Sequence, residues 1–246
     1  MLLSLIIPAY NEADNLPETL QAFYEALTAA AIPHEMLVVN DNSKDNTLEV
    51  LEQLQQDLPS LTWVTNPPPQ NGFGYAIRKG LDHYTGDCVA IVMADLSDSP
   101  EDLIRFYNTM VAENLDCVFG TRWSRGGKVY DYPWLKRRIN RVANNIVRMS
   151  FGIRYNDMTN AFKLYRRSTI DGLRPFLSPH FNLTLELPLK AVVRGYSYKI
   201  LPNSWNNRRH GSSNLKIREM GSRYFFILLY CLIEKFFAKG DFKKKW

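Results

Sequence analysis

Residues Val89–Glu101 read Val-Ala-Ile-Val-Met-Ala-Asp-Leu-Ser-Asp-Ser-Pro-Glu. The apolar run Val89–Val92 has the length and β-branching of a strand that is buried on both faces. Three carboxylates follow it, at Asp95, Asp98 and Glu101. Ligands of open parallel α/β sheets bind beyond the carboxyl ends of the strands, and carboxylates placed there can hold a divalent cation through oxygen. The same pattern also fits a helix N-terminus whose acidic residues merely offset the helix dipole.

Strand-like and helix-like segments alternate on both sides of this stretch. The predicted strands are 2–7, 36–39, 61–64, 89–92, 116–120, 164–166 and 198–202. The predicted helices are 17–30, 48–58, 102–114 and 135–151, with two more that end near residues 84 and 194. Alternation of this kind predicts an α/β fold with a mostly parallel sheet and flanking helices.

Composition sets the size and the electrostatic character of the protein. A chain of 246 residues with 46% hydrophobic residues is long enough for one α/β domain with a small appendage. The net charge of +5 is unevenly distributed: acidic residues dominate the first hundred positions, and basic residues concentrate at 122–148, at 208–223 and in the tail Lys243–Lys245. This predicts an anionic partner (phosphate, nucleic acid or acidic lipid) unless the basic face is simply solvated. Cys88 and Cys117 lie in or beside apolar runs, which predicts buried free thiols and a reducing compartment. The chain opens on a strand, so we expect no cleavable signal peptide.

A glycine-containing turn, Asn71–Ala76, precedes a predicted helix. Gly72 and Gly74 allow the backbone to approach a ligand, and a helix N-terminus offers free N–H groups to an anion. A tight turn explains the two glycines almost as well. The third glycine of a dinucleotide-binding fingerprint is missing, which argues against a Rossmann dehydrogenase.

Two segments in the second half of the chain have membrane-like character. Residues 135–151 form an amphipathic pattern with a basic face, typical of either a core helix or a helix that lies on an anionic membrane. Residues 224–238 are apolar on all sides apart from Glu234 and Lys235. As a helix they would span about 22 Å, short of the ~30 Å hydrocarbon core. Burial in a membrane interface and burial in an oligomer contact both remain open for this stretch.

The motifs in this order resemble the inverting family-2 glycosyltransferases with a GT-A fold, and within them the polyprenyl- or dolichyl-phosphate mannose or glucose synthases. The resemblance covers the chain from Leu5 to about Leu215. It implies a GT-A (Rossmann-like) domain with added interfacial amphipathic helices. It also implies that the nucleotide sugar is bound by Pro8, Tyr10, Glu12, Asp41, Gly72, Gly74, Ala76, Ala94 and Asp95.

The same resemblance implies a metal site and a phosphate site. Asp95, Ser97 and Asp98 would hold Mg²⁺ or Mn²⁺, although Met93 replaces the first aspartate of the family's metal motif and Ser97 its glutamine. The acceptor and its phosphate would be bound by Arg122, Arg125, Glu186, Arg208 and Ser213. Asp95, Arg122 and Arg208 would be catalytic. Asn214 replaces a lysine of the family loop, which places more weight on Arg208.

The implied activity is transfer of a hexose, of mannose or glucose type, from a nucleotide-diphosphate sugar to a polyprenyl phosphate with inversion. The implied partners are those two substrates and a membrane surface, with no nucleic acid. We expect a peripheral or monotopic protein on the cytoplasmic face, with a transferase domain at 1–215 and a membrane-interface segment at 216–246. One alternative is transfer to a glycan hydroxyl with Asp98 or Glu186 as the base. The other is a catalytically impaired nucleotide- or lipid-binding homologue, suggested by Met93 and Asn214.

Overall fold

The computed structural model describes residues 1–207 and 217–244 of the chain. Within them the strands are β1 (Leu3–Ala9), β2 (His34–Asn40), β3 (Leu61–Thr65), β4 (Cys88–Ile91), β5 (Cys117–Thr121), β6 (Lys128–Val129), β7 (Lys163–Arg166), β8 (Tyr198–Pro202) and β9 (Ser204–Trp205). The helices are α1 (Leu16–Ala29), α2 (Thr47–Asp57), α3 (Phe73–Leu81), α4 (Pro100–Ala112), α5 (Trp134–Phe151), α6 (Arg167–Leu173), α7 (Leu183–Val193) and α8 (Ile217–Phe237).

The main sheet has the strand order β3-β2-β1-β4-β7-β5-β8. Strand β7 runs antiparallel to both of its neighbours, and the remaining pairs are parallel. The predicted mostly parallel α/β sheet is therefore confirmed. The chain leaves β1 for β2 and β3, then returns to place β4 on the other side of β1. The carboxyl ends of β1 and β4 thus form the switch point at which open α/β sheets bind ligands.

Helices cover both faces of this sheet. Side chains of a strand alternate between the two faces, so each face carries apolar residues that pack against helices. Leu3, Leu5 and Ile7 of β1 pack with residues of α1, α2 and α4. Ile6 points to the opposite face, where the core is built with α3, α7 and α8. The predicted burial of free Cys88 and Cys117 is confirmed.

Helix α8 is packed into the same core as the rest of the chain. Its Ile227 and Cys231 are fully buried. Its Glu234 forms a two-point ion pair with the buried Arg194, with distances of 2.7 Å between Nε and Oε1 and 2.9 Å between Nη2 and Oε2. Helix α8, which lies in the expected membrane-interface segment 216–246, thus shares its interior with the first part of the chain.

Three short elements were not predicted: β6, β9 and α6. Strands β6 and β9 have two residues each and pair in parallel with one another. Two residues are too few to show an alternating pattern, and α6, with seven residues, completes only about two helical turns.

Candidate functional site

A cleft of about 900 Å³ opens at the switch point of the sheet. Of the predicted site residues, it is lined by Pro8, Tyr10, Glu12, Asp41, Gly72, Ala76, Asp95, Ser97, Asp98 and Arg122. Gly74, Ala94, Arg125 and Glu186 are not part of its lining. Arg208 and Ser213 lie outside the described residues, as does Asn214. Most of the residues chosen from separate motifs therefore meet in one place.

The turn after β4 places two carboxylates at the edge of the cleft. Leu96 has a φ of 51°, and this left-handed residue turns the chain sharply. Ser97 donates its N–H to Oδ1 of Asp95 at 3.2 Å, and Met93 donates its N–H to Oδ2 of Asp98 at 3.4 Å. Burial raises the pKa of Asp98 to about 7, and the nearby Asp95 charge adds to the increase. Two carboxyl groups are therefore crowded at this edge, an arrangement that a bound cation would stabilise.

The residues at this turn fit a divalent metal ion. Oδ1 of Asp98 and Oγ of Ser97 are both buried, and neither has a hydrogen-bond partner among the described residues. Buried polar atoms normally have a partner, and hard cations such as Mg²⁺ and Mn²⁺ take oxygen ligands. Residues 1–207 and 217–244 contain no group of three or more His, Cys, Asp or Glu that could hold a metal. Water or a bound diphosphate could complete the coordination shell of such an ion.

The Asp41 carboxylate organises the opposite end of the cleft. Its Oδ1 accepts a hydrogen bond from Nδ2 of Asn66 at 2.7 Å, and its Oδ2 accepts one from the N–H of Gly72 at 2.6 Å. The neighbouring Asn40, at the end of β2, accepts the Ser43 N–H through its side-chain oxygen at 3.0 Å. Asp41 therefore ties the end of β2 to the glycine turn, and each of its oxygens keeps one lone pair for a ligand.

The two glycines of the turn have different reasons to be there. Gly72 has a φ of 122°, which L-residues with side chains rarely adopt. At Gly74 an added Cβ would lie 2.5 Å from backbone atoms of Pro179 and His180. Gly74 therefore allows the segment before α7 to pack against α3, where it contributes His180 to the cleft. Its effect on a bound nucleotide would be indirect.

Ala94 and Arg125 also lie off the lining. Ala94 is buried, and its carbonyl accepts a hydrogen bond from Thr19 Oγ1 at 2.8 Å. Arg125 is exposed in the loop after β5.

Arg122 is buried at the cleft and is held by Asp157. The two side chains make a two-point ion pair with N–O distances of 2.8 Å, and the Arg122 N–H adds a third contact of 3.0 Å. Burial alone would lower the pKa of Arg122, but the Asp157 charge more than offsets this and raises it. Arg122 therefore stays cationic, and its remaining N–H groups can meet an anion.

Glu186 is placed away from the cleft, in contrast to the expected contact with the acceptor. It is fully buried, and its two oxygens accept the backbone N–H groups of Leu177 and Ser178 at 2.8 and 2.7 Å. Lys190 completes the arrangement with an Nζ–Oε1 distance of 2.5 Å. These partners satisfy the carboxylate and tie Glu186 to the segment before α7.

Several cleft residues were missed by the sequence analysis. Helix α5 contributes Lys136 and Asn140, helix α8 contributes Arg223 and Tyr224, and β9 contributes Trp205. Lys136 carried a readable signal as part of the basic face of an amphipathic helix, and Trp205 belongs to a stretch that resembles the family loop that closes over the site. The approach of α8 to the cleft depends on packing between residues far apart in the chain, which no local pattern reports.

Comparisons with known proteins agree with this architecture. The family model described as Glycosyl transferase family 2 matches residues 4–174. The polyprenol monophosphomannose synthase of Mycolicibacterium smegmatis is 30% identical over 216 residues, which cover 86% of this chain and 80% of that protein. The dolichol-phosphate mannosyltransferase of Pyrococcus furiosus is 28% identical over 220 residues, which cover 88% of this chain and only 60% of that protein.

A solved structure shows the same fold at low sequence identity. The glucosyl-3-phosphoglycerate synthase of Mycobacterium tuberculosis, crystallised with Mn²⁺, uridine diphosphate and phosphoglyceric acid, has a TM-score of 0.69 and 17% identity. The likeness covers 94% of this chain and 78% of that chain, and it confirms the predicted GT-A fold. The family match over residues 4–174, together with the 30% identity to the Mycolicibacterium smegmatis synthase, shows that the protein belongs to glycosyl transferase family 2.

Proposed function

We propose that this protein transfers a hexose of mannose or glucose type from a nucleotide-diphosphate sugar to a polyprenyl phosphate, with inversion, at a membrane surface. One observation carries the proposal. Helices α5 and α8 line the cleft with cationic residues and, on other faces, expose large apolar side chains to solvent. A substrate with an anionic head and an apolar tail fits such a site.

The cationic side of the cleft comes from these two helices. Lys136 of α5 and Arg223 of α8 both line it, and Arg122 lies in the same cleft. Cationic side chains of this kind bind phosphate oxygens, and the fork of arginine does so at two points. The acidic turn at Asp95 and Asp98 lies in the same cleft. The site can therefore place a metal-bound diphosphate and an acceptor phosphate side by side.

The apolar side of the same helices faces outward. On α5 the exposed apolar residues are Trp134, Leu135, Ile139, Val142, Ile146 and Met149. On α8 they are Phe225, Phe226, Leu229, Ile233, Phe236 and Phe237. Large exposed apolar patches mark interaction surfaces, and aromatic and basic residues together suit a membrane interface. Among residues 1–207 and 217–244, no helix combines the length and apolarity that a membrane span requires.

The proposed reaction depends more on positioning the donor diphosphate and the acceptor phosphate than on proton transfer. Asp95 and Asp98 would hold Mg²⁺ or Mn²⁺ against the donor diphosphate, and that ion would supply neutralisation of the charge on the leaving group. A phosphate acceptor is already anionic near neutral pH, so it needs orientation in line with the sugar carbon. Arg122, held rigid by Asp157, and Lys136 would provide that orientation.

The relatives support the choice of substrates. Two curated relatives are named for mannose transfer to polyprenol or dolichol phosphate, and both match more than four-fifths of this chain. The free thiols Cys88, Cys117 and Cys231 fit a reducing compartment, and we extend the proposal to a peripheral or monotopic position on the cytoplasmic face.

Transfer to a glycan hydroxyl would need a base in the cleft. Of the two candidates, Glu186 is buried elsewhere and fully partnered, which leaves only Asp98. A catalytically impaired homologue finds support in Met93, which lines the cleft where the family has an aspartate. The orphaned oxygens of Asp98 and Ser97 argue for a working metal site.

The test supplies purified protein with vesicles that contain a polyprenyl phosphate and with a panel of radiolabelled nucleotide sugars. We expect labelled lipid from one of them, and none after chelation until Mn²⁺ or Mg²⁺ is restored. Vesicles with the unphosphorylated polyprenol are the matched control. Label on hydroxyl acceptors alone would establish the alternative transferase, and nucleotide binding with no transfer or hydrolysis would establish an impaired homologue.

A further inference from the structure

Trp205 lies beside the acidic turn of the cleft. It forms an isolated antiparallel bridge with Asp98, and the N–H of the next residue, Asn206, donates to the Ser97 carbonyl at 3.0 Å. Side chains of residues directly opposite one another in an antiparallel pair project to the same side, with Cβ atoms about 4.5–5.5 Å apart. Trp205 and Asp98 both line the cleft. The indole therefore begins next to a carboxylate of the proposed metal site.

The indole is held from its other side by the segment between β6 and α5. The ring of Tyr132 packs against it at a steep angle, with 5.0 Å between ring centres and 65° between ring planes. Trp205 also pairs with Val129 in the two-stranded sheet, and its carbonyl accepts the Tyr130 N–H at 3.0 Å. The side chain is half-buried. The orientation of the indole is therefore fixed, and part of its surface remains open to the cleft.

The position of the indole matches the place of the sugar in the proposed donor. In a nucleotide-diphosphate sugar, the hexose is joined to the terminal phosphate through a single oxygen atom. If Asp95 and Asp98 hold the metal-bound diphosphate, the hexose lies directly beside the acidic turn. Asp41, bonded to Asn66 and to the glycine turn, organises the opposite end of the cleft. With the nucleoside placed there, Trp205 stands at the hexose end.

An aromatic face suits the chemistry of a hexose ring. A pyranose carries its hydroxyl groups around its edge and C–H groups on its faces. One face can therefore pack on an indole and leave water, while the hydroxyl groups keep their hydrogen bonds. Tryptophan offers a large and rigid surface for such a contact, and ligand pockets combine surfaces of this kind with a few polar groups.

We infer that Trp205 is the residue against which the transferred hexose packs, an assignment that rests on the donor reaction proposed above. The indole holds the sugar ring while the acidic turn holds the diphosphate. The two contacts together orient the anomeric carbon for in-line attack by the acceptor. The first isoprene unit of the acceptor is also apolar, but the bridge between Trp205 and Asp98 favours the group that is attached to the diphosphate.

The experiment compares donor binding with and without the sugar. Calorimetric titration of the full-length protein, with Mn²⁺ and without vesicles, measures binding of GDP-mannose, UDP-glucose, GDP and UDP. We expect Trp205→Leu to weaken binding of the nucleotide sugar about tenfold and binding of its nucleoside diphosphate by less than about twofold. Trp205→Phe keeps a smaller aromatic face and should lose about threefold. Trp63→Leu is the matched control, because Trp63 is a half-buried tryptophan of β3 outside the described lining of the cleft.

Equal losses for the nucleotide sugar and the nucleoside diphosphate would overturn the assignment, because Trp205 would then shape the diphosphate site. Unchanged donor binding would overturn it too, and a raised KM for the polyprenyl phosphate in that case would reassign the indole to the first isoprene unit. Thermal unfolding of each variant checks the fold. Absence of transfer to polyprenyl phosphate, with the selective loss of sugar binding intact, would refute the proposed acceptor and leave the role of Trp205 standing.

Discussion

Two buried carboxylates show how the same group can serve opposite purposes. Asp98 is buried with one oxygen that has no partner among the described residues, and burial raises its pKa. Glu186 is buried with two backbone N–H groups and a lysine around it. The first arrangement is poorly satisfied until a cation arrives, and the second is complete without a ligand. Hydrogen-bond partners, and not burial alone, distinguish Asp98, the proposed metal ligand, from Glu186, whose oxygens are already satisfied.

Replacement of Asp95 by asparagine tests the metal assignment. Asp95→Asn keeps the shape of the side chain but removes a charge that a metal-bound diphosphate needs, so we expect transfer to fall at least a hundredfold. Circular dichroism and thermal unfolding should stay close to the wild type. Asp14→Asn, an exposed carboxylate, is the control. A rate above a tenth of wild type, a barrier change below ~1.4 kcal/mol, would count against the assignment.

Replacement of Glu186 by glutamine tests the structural role. Glu186→Gln leaves the fully buried Lys190 without its counter-charge, so we expect the free energy of unfolding to drop by about 3–5 kcal/mol. Urea denaturation measures it. The control is Glu113→Gln in the exposed pair with Lys199, where about 0–1 kcal/mol is expected. Unchanged stability with lost transfer would instead return Glu186 to the acceptor site.

At the scale of the elements, the packing of α3 against the segment before α7 requires a glycine at position 74. Gly74→Ala would force a Cβ to within 2.5 Å of the Pro179 and His180 backbone. Overpacking of this kind costs about 1–3 kcal/mol, and we expect weaker nucleotide binding because His180 must move. Gly221→Ala in α8 is the control, since its Cβ would meet nothing within 4 Å. Calorimetry and nucleotide titration report both effects, and similar results for the two variants would contradict the packing argument.

The outer face of α5 carries the prediction of membrane contact. Ile146 is 52% exposed, whereas its neighbour Val147 is buried at 5%. Ile146→Glu should lower partition into vesicles by about tenfold or more, since burial of such a side chain contributes about 1.5–3 kcal/mol. High salt should release only part of the wild type, and Arg148→Glu should act only at low salt. Wild-type protein found wholly in the supernatant at low salt would refute membrane contact.

Local patterns predicted the elements well and the cleft in part. The β-branched run at Val89–Val92 predicted a strand, and the structure places β4 within one residue of it. The family resemblance implied that Asp41 and Asp95 belong to one nucleotide-sugar site, and both line the same cleft. The pairing of Glu186 with Lys190 had a readable i, i+4 spacing that the family resemblance outweighed. The position of Arg223 had no local signal, because it follows from how α8 packs.

At the scale of the whole molecule, the two halves of the chain divide the work. Residues before β5 provide the glycine turn, Asp41 and the acidic turn. Residues after β5 provide the cationic side and the apolar surfaces of α5 and α8. The uneven charge along the sequence therefore corresponds to the two sides of the cleft. Acidic residues lie on the proposed donor side, and basic residues lie on the proposed acceptor side.

The antiparallel strand β7 suggests how the two sides of the cleft could vary separately in evolution. Because β7 runs against β5, Lys163 at its start is the register partner of Phe119 near the end of β5. Residues 122–162 therefore leave and re-enter the sheet at adjacent points, and they carry the Arg122–Asp157 pair with them. We predict that such a segment can be exchanged as a unit. Exchange for the aligned residues of the Mycolicibacterium relative should change the preferred polyprenyl chain length and leave the preferred nucleotide sugar as it was. A folded chimera with altered donor preference would show that the two halves cannot be inherited separately.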